Sequence, residues 1–333
     1  MNILLSFAGD KTDMIQYFKY AAGNTGKVFA SDCSLKYSLT QADGYLITPQ
    51  AYDDSYITVL SDYCNKNNIT AIIPLSDADL FVLSKNKNKL CDLGISVIVS
   101  DESVVDICID RWKTYLFLES IGVKQPKSYI DVEAAKRDIE SGTLAFPLFL
   151  SPRLYSEKEN VIDVYNFEEF DLFYRKMEQK LSNASDLYKD KAIVVQEEIY
   201  GDKYGLCIFN DLQGNFVSAS SLHKISATRD ETMIASVEKI KPFEHIIELF
   251  SSELKHVACL EIDCCLQEAG DVIISEIHTR FGKNYPFWHV AGANFPKQIV
   301  DWINGFPTSQ DNLNTLIGVK GCREKLLPFH FDF

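Results

Sequence analysis

A surplus of positive charge is missing from this sequence: its 333 residues carry 33 Lys+Arg against 47 Asp+Glu, a formal net charge of −14 with histidine neutral. Non-specific DNA or RNA binding relies on a basic footprint, so nucleic acid is not the expected partner. An anionic small ligand stays open, because a local basic cluster can sit within an acidic whole. A long apolar run is missing as well. The first, Ile3 to Ala8, ends before Asp10, has no basic segment ahead of it, and is far shorter than the about 18 residues of a membrane span. No other stretch is longer, so no membrane association is expected. The nine cysteines (Cys33, Cys64, Cys91, Cys108, Cys207, Cys259, Cys264, Cys265 and Cys322) are odd in number and form no CxxC pair. That fits reduced thiols in a cytoplasmic protein better than a disulfide framework. Internal repeats and low-complexity tracts are also absent.

What is present is the ordinary globular mix, 46% hydrophobic and 24% charged. The length predicts two domains, or three lobes sharing cores. Over the first hundred residues, short apolar runs (Ile3–Phe7, Lys27–Ala30, Gly44–Ile47, Ala71–Pro74, Ser96–Val99) alternate with helical spacing over Thr12–Ala22, Ser55–Lys66 and Asp77–Leu90. Asp53-Asp54 and Ser76 are candidate N-caps. This alternation predicts an α/β, doubly wound parallel sheet. Its first turn, Phe7-Ala8-Gly9-Asp10, has one glycine where a dinucleotide fingerprint needs several. An NAD-dependent dehydrogenase is thereby excluded.

From about residue 126 strands and helices mix, which predicts α+β lobes. Strands are expected over Phe146–Leu150, Val161–Tyr165, Ala192–Gln196, Tyr204–Phe209, Phe216–Ser220, Val257–Leu266 and Asp271–Ile277. Helices are expected over Asn166–Leu181, Lys239–Lys255 and Asn294–Asn304, and loops over Ser182–Lys191 and His223–Ser236. Adjacent Cys264 and Cys265 alternate faces of a strand and read as core rather than metal ligands. Ser220-Ser221-Leu222-His223 lacks a nucleophile-elbow glycine frame, so a hydrolase triad is rejected. Lys85-Asn86-Lys87-Asn88-Lys89 reads as a solvated helix face, and Tyr285, Phe287 and Trp288 as core ahead of pocket lining.

Six segments in a fixed order carry a family resemblance. They are Ile72–Leu80, Asp110-Arg111-Trp112-Lys113-Thr114 leading into Gly122-Val123-Lys124-Gln125-Pro126, Phe146–Leu150, Val194–Gly201, Glu276-Ile277-His278-Thr279-Arg280-Phe281-Gly282, and Ala291-Gly292-Ala293-Asn294-Phe295-Pro296. Together they resemble the ATP-grasp superfamily, in its carbamoyl-phosphate-synthase large-subunit-like branch. The resemblance implies a pre-ATP-grasp domain over 1–108 and a two-lobed ATP-grasp module over 109–333, with a small lobe at about 122–190. It implies ATP-dependent ligation of a carboxylate to an amine or other nucleophile through an acyl phosphate, with release of ADP. Small-molecule substrates, Mg²⁺ or Mn²⁺, and a homodimer are implied with it.

By the same resemblance Asp263 and Glu276, on adjacent expected strands 13 residues apart, hold metal, joined by His278 where the family has Asn. Imidazole suits Mn²⁺ or Zn²⁺ better than Mg²⁺. Both carboxylates also read as solvated strand residues. Arg280 is the catalytic candidate, on the transferring phosphoryl group or the substrate carboxylate, where a planar guanidinium fork suits either. Arg111, Arg153, Lys158, Glu197, Ile199, Lys203 and Lys224 are the nucleotide-binding candidates, Glu197 and Ile199 through backbone groups facing the adenine edge. Lys224 and Arg229 fall in the expected loop. The chain departs from the family pattern at Ser151, where a small-lobe cation is expected. It departs again at Leu154–Asn160, a phosphate lid without glycine, and at Lys203, where a ribose-binding carboxylate is expected. These departures support a second reading, a catalytically silent nucleotide- or ligand-binding protein.

Overall fold

The computed structural model describes residues 1–154, 161–184, 192–228 and 231–323. The N-terminal domain runs β1 (Asn2–Ser6), α1 (Thr12–Ala22), β2 (Lys27–Asp32), β3 (Gly44–Ile47), α2 (Tyr56–Lys66), β4 (Ile69–Pro74), α3 (Asp77–Lys85), α4 (Lys87–Asp92), β5 (Ser96–Val97) and α5 (Glu102–Ile109). Its strands are all parallel, in the order β3-β2-β1-β4-β5. β1 and β4 are buried almost throughout, because helices cover both faces of such a sheet. The expected Asp77–Leu90 helix is two helices, separated at Asn86, whose side chain bonds the Val82 carbonyl and ends the first. Ser76 caps it through the Ala78 N–H. The fifth strand stops at Val97 rather than Val99. Helix α2 starts at Tyr56, and Asp53 accepts from the Ser55 N–H just ahead of it. At the turn after β1, Asp32 Oδ2 takes the Gly9 N–H at 3.0 Å. An internal carboxylate therefore occupies the amide that a phosphate-binding glycine turn would offer.

Helix α6 (Arg111–Ser120) leads to a small lobe of β6 (Ser128–Tyr129), α7 (Val132–Glu140), β7 (Leu148–Pro152), β8 (Ile162–Val164), α8 (Phe167–Ala184) and β9 (Ile193–Glu197), with sheet order β6-β9-β7-β8. The large lobe follows with β10 (Asp202–Asn210), β11 (Phe216–Ala227), β12 (Thr232–Glu238), α9 (Glu244–Leu254), β13 (Ala258–Leu266), β14 (Val272–His278), α10 (Tyr285–Val290), α11 (Phe295–Ile303) and β15 (Lys320–Cys322). Its antiparallel sheet has the order β14-β13-β10-β11-β12-β15. The expected loop over His223–Ser236 is instead the second half of β11 and most of β12. His223 pairs with Tyr204 and Ser236, so strand pairing overrides the polar composition of this stretch. The expected Ser182–Lys191 loop lies partly in α8, and its remainder, from 185, lies outside the described residues.

Residues of β1, β2 and α1 share one apolar core with β10, β13, α10 and α11, so the N-terminal domain and the large lobe pack as one body. Tyr285 and Trp288 are fully buried in it, as core rather than pocket lining. All nine cysteines are free thiols, and Cys264 and Cys265 are buried. No helix among the described residues is long and apolar enough to cross a membrane.

Candidate active site

The site is built on the hairpin of β13 and β14. In β13, Leu260, Ile262 and Cys264 turn into the large-lobe core, so strand alternation sends Glu261 and Asp263 to the other face. In β14, Ile277 turns inward and Glu276 and His278 share the site face. Register pairs Asp263 directly with Glu276 and Glu261 with His278. Two carboxylates so placed repel each other unless cations intervene.

Cations do intervene. Arg111, the first residue of α6, donates from Nη1 to Glu276 Oε1 at 2.9 Å. Lys224 of β11 donates to Asp263 Oδ1 at 2.7 Å, and Asn284 Nδ2 reaches the same oxygen at 3.2 Å. Burial pulls the Lys224 ammonium down, but Asp263 outweighs it and the pKa is raised, so the lysine is charged. The cations form the back of the site, with side chains 9% and 10% exposed, whereas Glu276 and Asp263 are 28% and 32% exposed and face the opening. His278 Nε2 lies 3.2 Å from Glu276 Oε2, and its Nδ1 lies 3.9 Å from Asp77 Oδ2.

Asp77 comes from the N-terminal domain and grips Arg280 on one edge. Arg280 Nε donates to Asp77 Oδ1 at 2.7 Å and Nη2 donates to Asp77 Oδ2, while Nη1 donates to the Phe281 carbonyl at 3.3 Å. A guanidinium has five N–H donors in a fixed fork, and this pattern leaves one on each Nη, the end-on pair that binds a carboxylate or phosphoryl group. Burial pulls the Arg280 pKa down, and Asp77 more than restores it. Glu261 is buried beneath this loop, accepting the Gly282 N–H at 2.6 Å and the Asn284 N–H at 3.3 Å. Its pKa is raised by burial, against the Gly282 bond. A Cβ on Gly282 would stand 2.3 Å from Glu261 Oε2, so any larger residue there forces this hydrogen-bonded carboxylate to shift.

The remaining candidates are spread around the junction of the lobes. Arg153 Nε bonds both oxygens of Asp110 at 2.9 Å, while Asp110 caps α6 through the Trp112 and Lys113 N–H groups. Arg153 thus ties β7 to the start of α6. Glu197 closes on Lys127 twice, through its own N–H and through Oε1. Ile199 is half-buried just beyond β9, and Lys203 is exposed in β10 opposite Cys265. Ser151 is buried, with Oγ 3.5 Å from the Val194 carbonyl, so the small-lobe cation is absent there. Lys158, Arg229 and the lid beyond Leu154 lie outside the described residues. A narrow cleft of about 10 Å³ between the lobes, room for about one water, is lined by Arg111, Thr114, Tyr115, Gln125, Gln196 and Ser275.

Among the described residues, no three His, Cys, Asp or Glu converge on one metal position. His278 is turned onto Glu276 and Asp77 instead of into a trio with Asp263. The donor set that remains is a pair of hard carboxylates, which suits Mg²⁺ when substrate phosphates complete its shell. Glu261 and Asn284 were not anticipated, and Asp77 and Asp110, although inside the matching segments, were given no role. The Glu261–Asp263 alternation on one strand was a usable signal, whereas Asp77 and Arg280 are too far apart in sequence to suggest each other.

A sequence profile of PylC-like N-terminal domains matches residues 3–98. No curated protein sequence matches the chain. Among solved structures, biotin carboxylase of Campylobacter jejuni in a β,γ-ATP complex superposes with a TM-score of 0.72 at 18% identity, covering 94% of this chain and 73% of that one. The ADP complex of purK, N5-carboxyaminoimidazole ribonucleotide synthetase, gives 0.70 at 14% identity over 94% and 79%. The L-amino acid ligase of Bacillus licheniformis gives 0.68 at 15% identity over 94% and 76%. Likeness at these identities is likeness of fold. The α/β fold expected from the motifs, a parallel N-terminal sheet followed by antiparallel sheets, is the fold that these structures share.

Proposed function

We propose that the protein is an ATP-dependent carboxylate–amine ligase. The observation that carries this reading is the facing pair Asp263–Glu276 at the mouth of the site, backed by Arg111 and Lys224, with the end-on edge of Arg280 beside it. A substrate carboxylate oxygen attacks the γ-phosphorus and ADP leaves. The amine then attacks the acyl carbon and inorganic phosphate leaves. Arg280 orients the carboxylate or the transferring phosphoryl group, and Arg111 and Lys224 balance phosphate charge. Asp263 and Glu276 would hold Mg²⁺ or Mn²⁺, which supplies charge neutralisation on the phosphates. Arg153, Lys203 and the Glu197–Ile199 segment are proposed to line the nucleotide side.

A homodimer fits the exposed edge strand β3, where Tyr45 and Ile47 are 45% and 43% exposed. A cytoplasmic setting fits the free thiols. One observation favours a second reading, a silent nucleotide binder: Arg111, Lys224, Arg280 and Arg153 are each already paired with an internal carboxylate. Incubation with ATP, Mg²⁺ and pooled amino acids, with ADP measured, separates the two. Ligation predicts ADP release that Glu276→Ala abolishes. A nucleotide-induced rise in melting temperature without ADP favours the binder, and the absence of both removes each.

A further inference from the structure

Lys224 reaches Asp263 by crossing a whole strand. It stands on β11 and Asp263 on β13, with β10 between them. The residue of β10 opposite Asp263 is Gly205, whose own partner on the other side is Leu222. A Cβ built on Gly205 would lie 3.5 Å from Lys224 Cε and 3.2 Å from Asn284 Nδ2. Glycine within a strand marks a close approach, and here the approaching groups are the lysine stem and the asparagine amide. The lysine stem thus runs across Gly205 to this carboxylate, and a side chain at 205 would crowd the Asn284 amide beside it. Asn284 is fixed in turn by its N–H on Glu261 and its Oδ1 accepting from Thr232 at 2.8 Å.

We propose that Lys224 is the resident counter-ion of Asp263 and regulates cation entry. In the empty protein the ammonium holds the carboxylate. A divalent cation then binds firmly only with a nucleotide, whose phosphates accept the displaced ammonium. This rests on the reading of Asp263 and Glu276 as the cation-binding pair. It explains why the site carries two carboxylates and no third ligand among the described residues: the missing ligands arrive on the phosphates. Internal pairing of the site's cations is, on this account, compatible with nucleotide binding rather than a sign of its loss.

The test is titration of the full chain with Mn²⁺ alone, followed by electron paramagnetic resonance, and it needs no turnover. A charge-assisted bond accounts for roughly 10–150-fold in affinity, so Lys224→Met is expected to bind Mn²⁺ at least about tenfold more tightly than wild type. Lys224→Gln, which keeps a donor for Asp263, covers the case in which the methionine variant misfolds, and an increase is expected there too. Lys239→Met, which removes an exposed charge at the end of β12, is expected to leave the affinity unchanged. Adding ADP is expected to tighten Mn²⁺ binding in wild type far more than in Lys224→Met. Unchanged or weaker Mn²⁺ binding in the Lys224 variants, an equal gain in Lys239→Met, or no binding to any form overturns the proposal. Failure of the ligase reading shows separately, as absent ADP release from a protein that still binds Mn²⁺ as described.

Discussion

Replacing Asp77 by alanine strands a buried guanidinium, and the geometry sets the size of the effect. Arg280 and Asp77 are 8% and 7% exposed and meet through two hydrogen bonds. Removing one partner of a buried pair costs about 3–5 kcal/mol, because the other charge is left without compensation. Native stabilities are only about 5–15 kcal/mol, so this is a large fraction of the total. The N-terminal domain and the large lobe share a core, so the loss is felt across both. At about 2–4 °C per kcal/mol, the melting temperature of Asp77→Ala falls by roughly 6–20 °C. Arg280→Met deprives Asp77 of both of these hydrogen bonds and is destabilising too. The double variant removes both charges and is expected to be more stable than the sum of the singles implies, with a coupling of at least about 2 kcal/mol. Urea unfolding of the four proteins, followed by tryptophan fluorescence, measures it. Additive singles, or a loss below about 1 kcal/mol in Asp77→Ala, refute the claim that Asp77 anchors Arg280.

Three further outcomes follow from other buried groups. Gly282→Ala pushes a methyl onto Glu261 Oε2 and breaks the Gly282 N–H bond, so it should destabilise the fold by about 1–3 kcal/mol and lower turnover with it, as unfolding and ADP assays would report. His256 is buried, and burial lowers its pKa to about 4 from an ordinary 6.5. The folded state thus binds fewer protons, stability is complete above about pH 6.5 and declines by roughly 3 kcal/mol as pH falls towards 4, and His256→Gln should flatten that slope in urea titrations. Asp79 runs the opposite way: burial raises its carboxyl to about 7, so its contribution declines as pH rises from about 4 to 7. Asp79→Asn should therefore gain stability over wild type at pH 8 relative to pH 4 in the same assay.

Most of the framework was legible because it depends on periodicities that a sequence carries openly. The strands Gly44–Ile47 and the helix Thr12–Ala22 fall where the apolar pattern puts them. The Asp263–Glu276 pairing follows from two strands joined by a short turn at Glu268-Ala269-Gly270. The errors have physical sources. His223–Ser236 reads as a loop because Ser, Lys and Thr are common in it, yet strands can carry polar residues wherever these find partners, as Lys224 does in Asp263. The site's electrostatics were far less legible. Nothing local announces that Asp77 grips Arg280, that Arg153 serves Asp110, or that Lys224 crosses Gly205 to reach Asp263. Each depends on chain segments brought together only by the packed core.

The acyl phosphate is the central claim, and hydroxylamine tests it without knowledge of the natural amine. The protein is incubated with ATP, Mg²⁺, hydroxylamine and pooled carboxylic acids, and hydroxamate and ADP are measured together. The account predicts hydroxamate formed in equal amount to ADP, dependent on the carboxylate and lost in Glu276→Ala. ADP released without hydroxamate, or neither product from a folded protein that binds ATP, would contradict it.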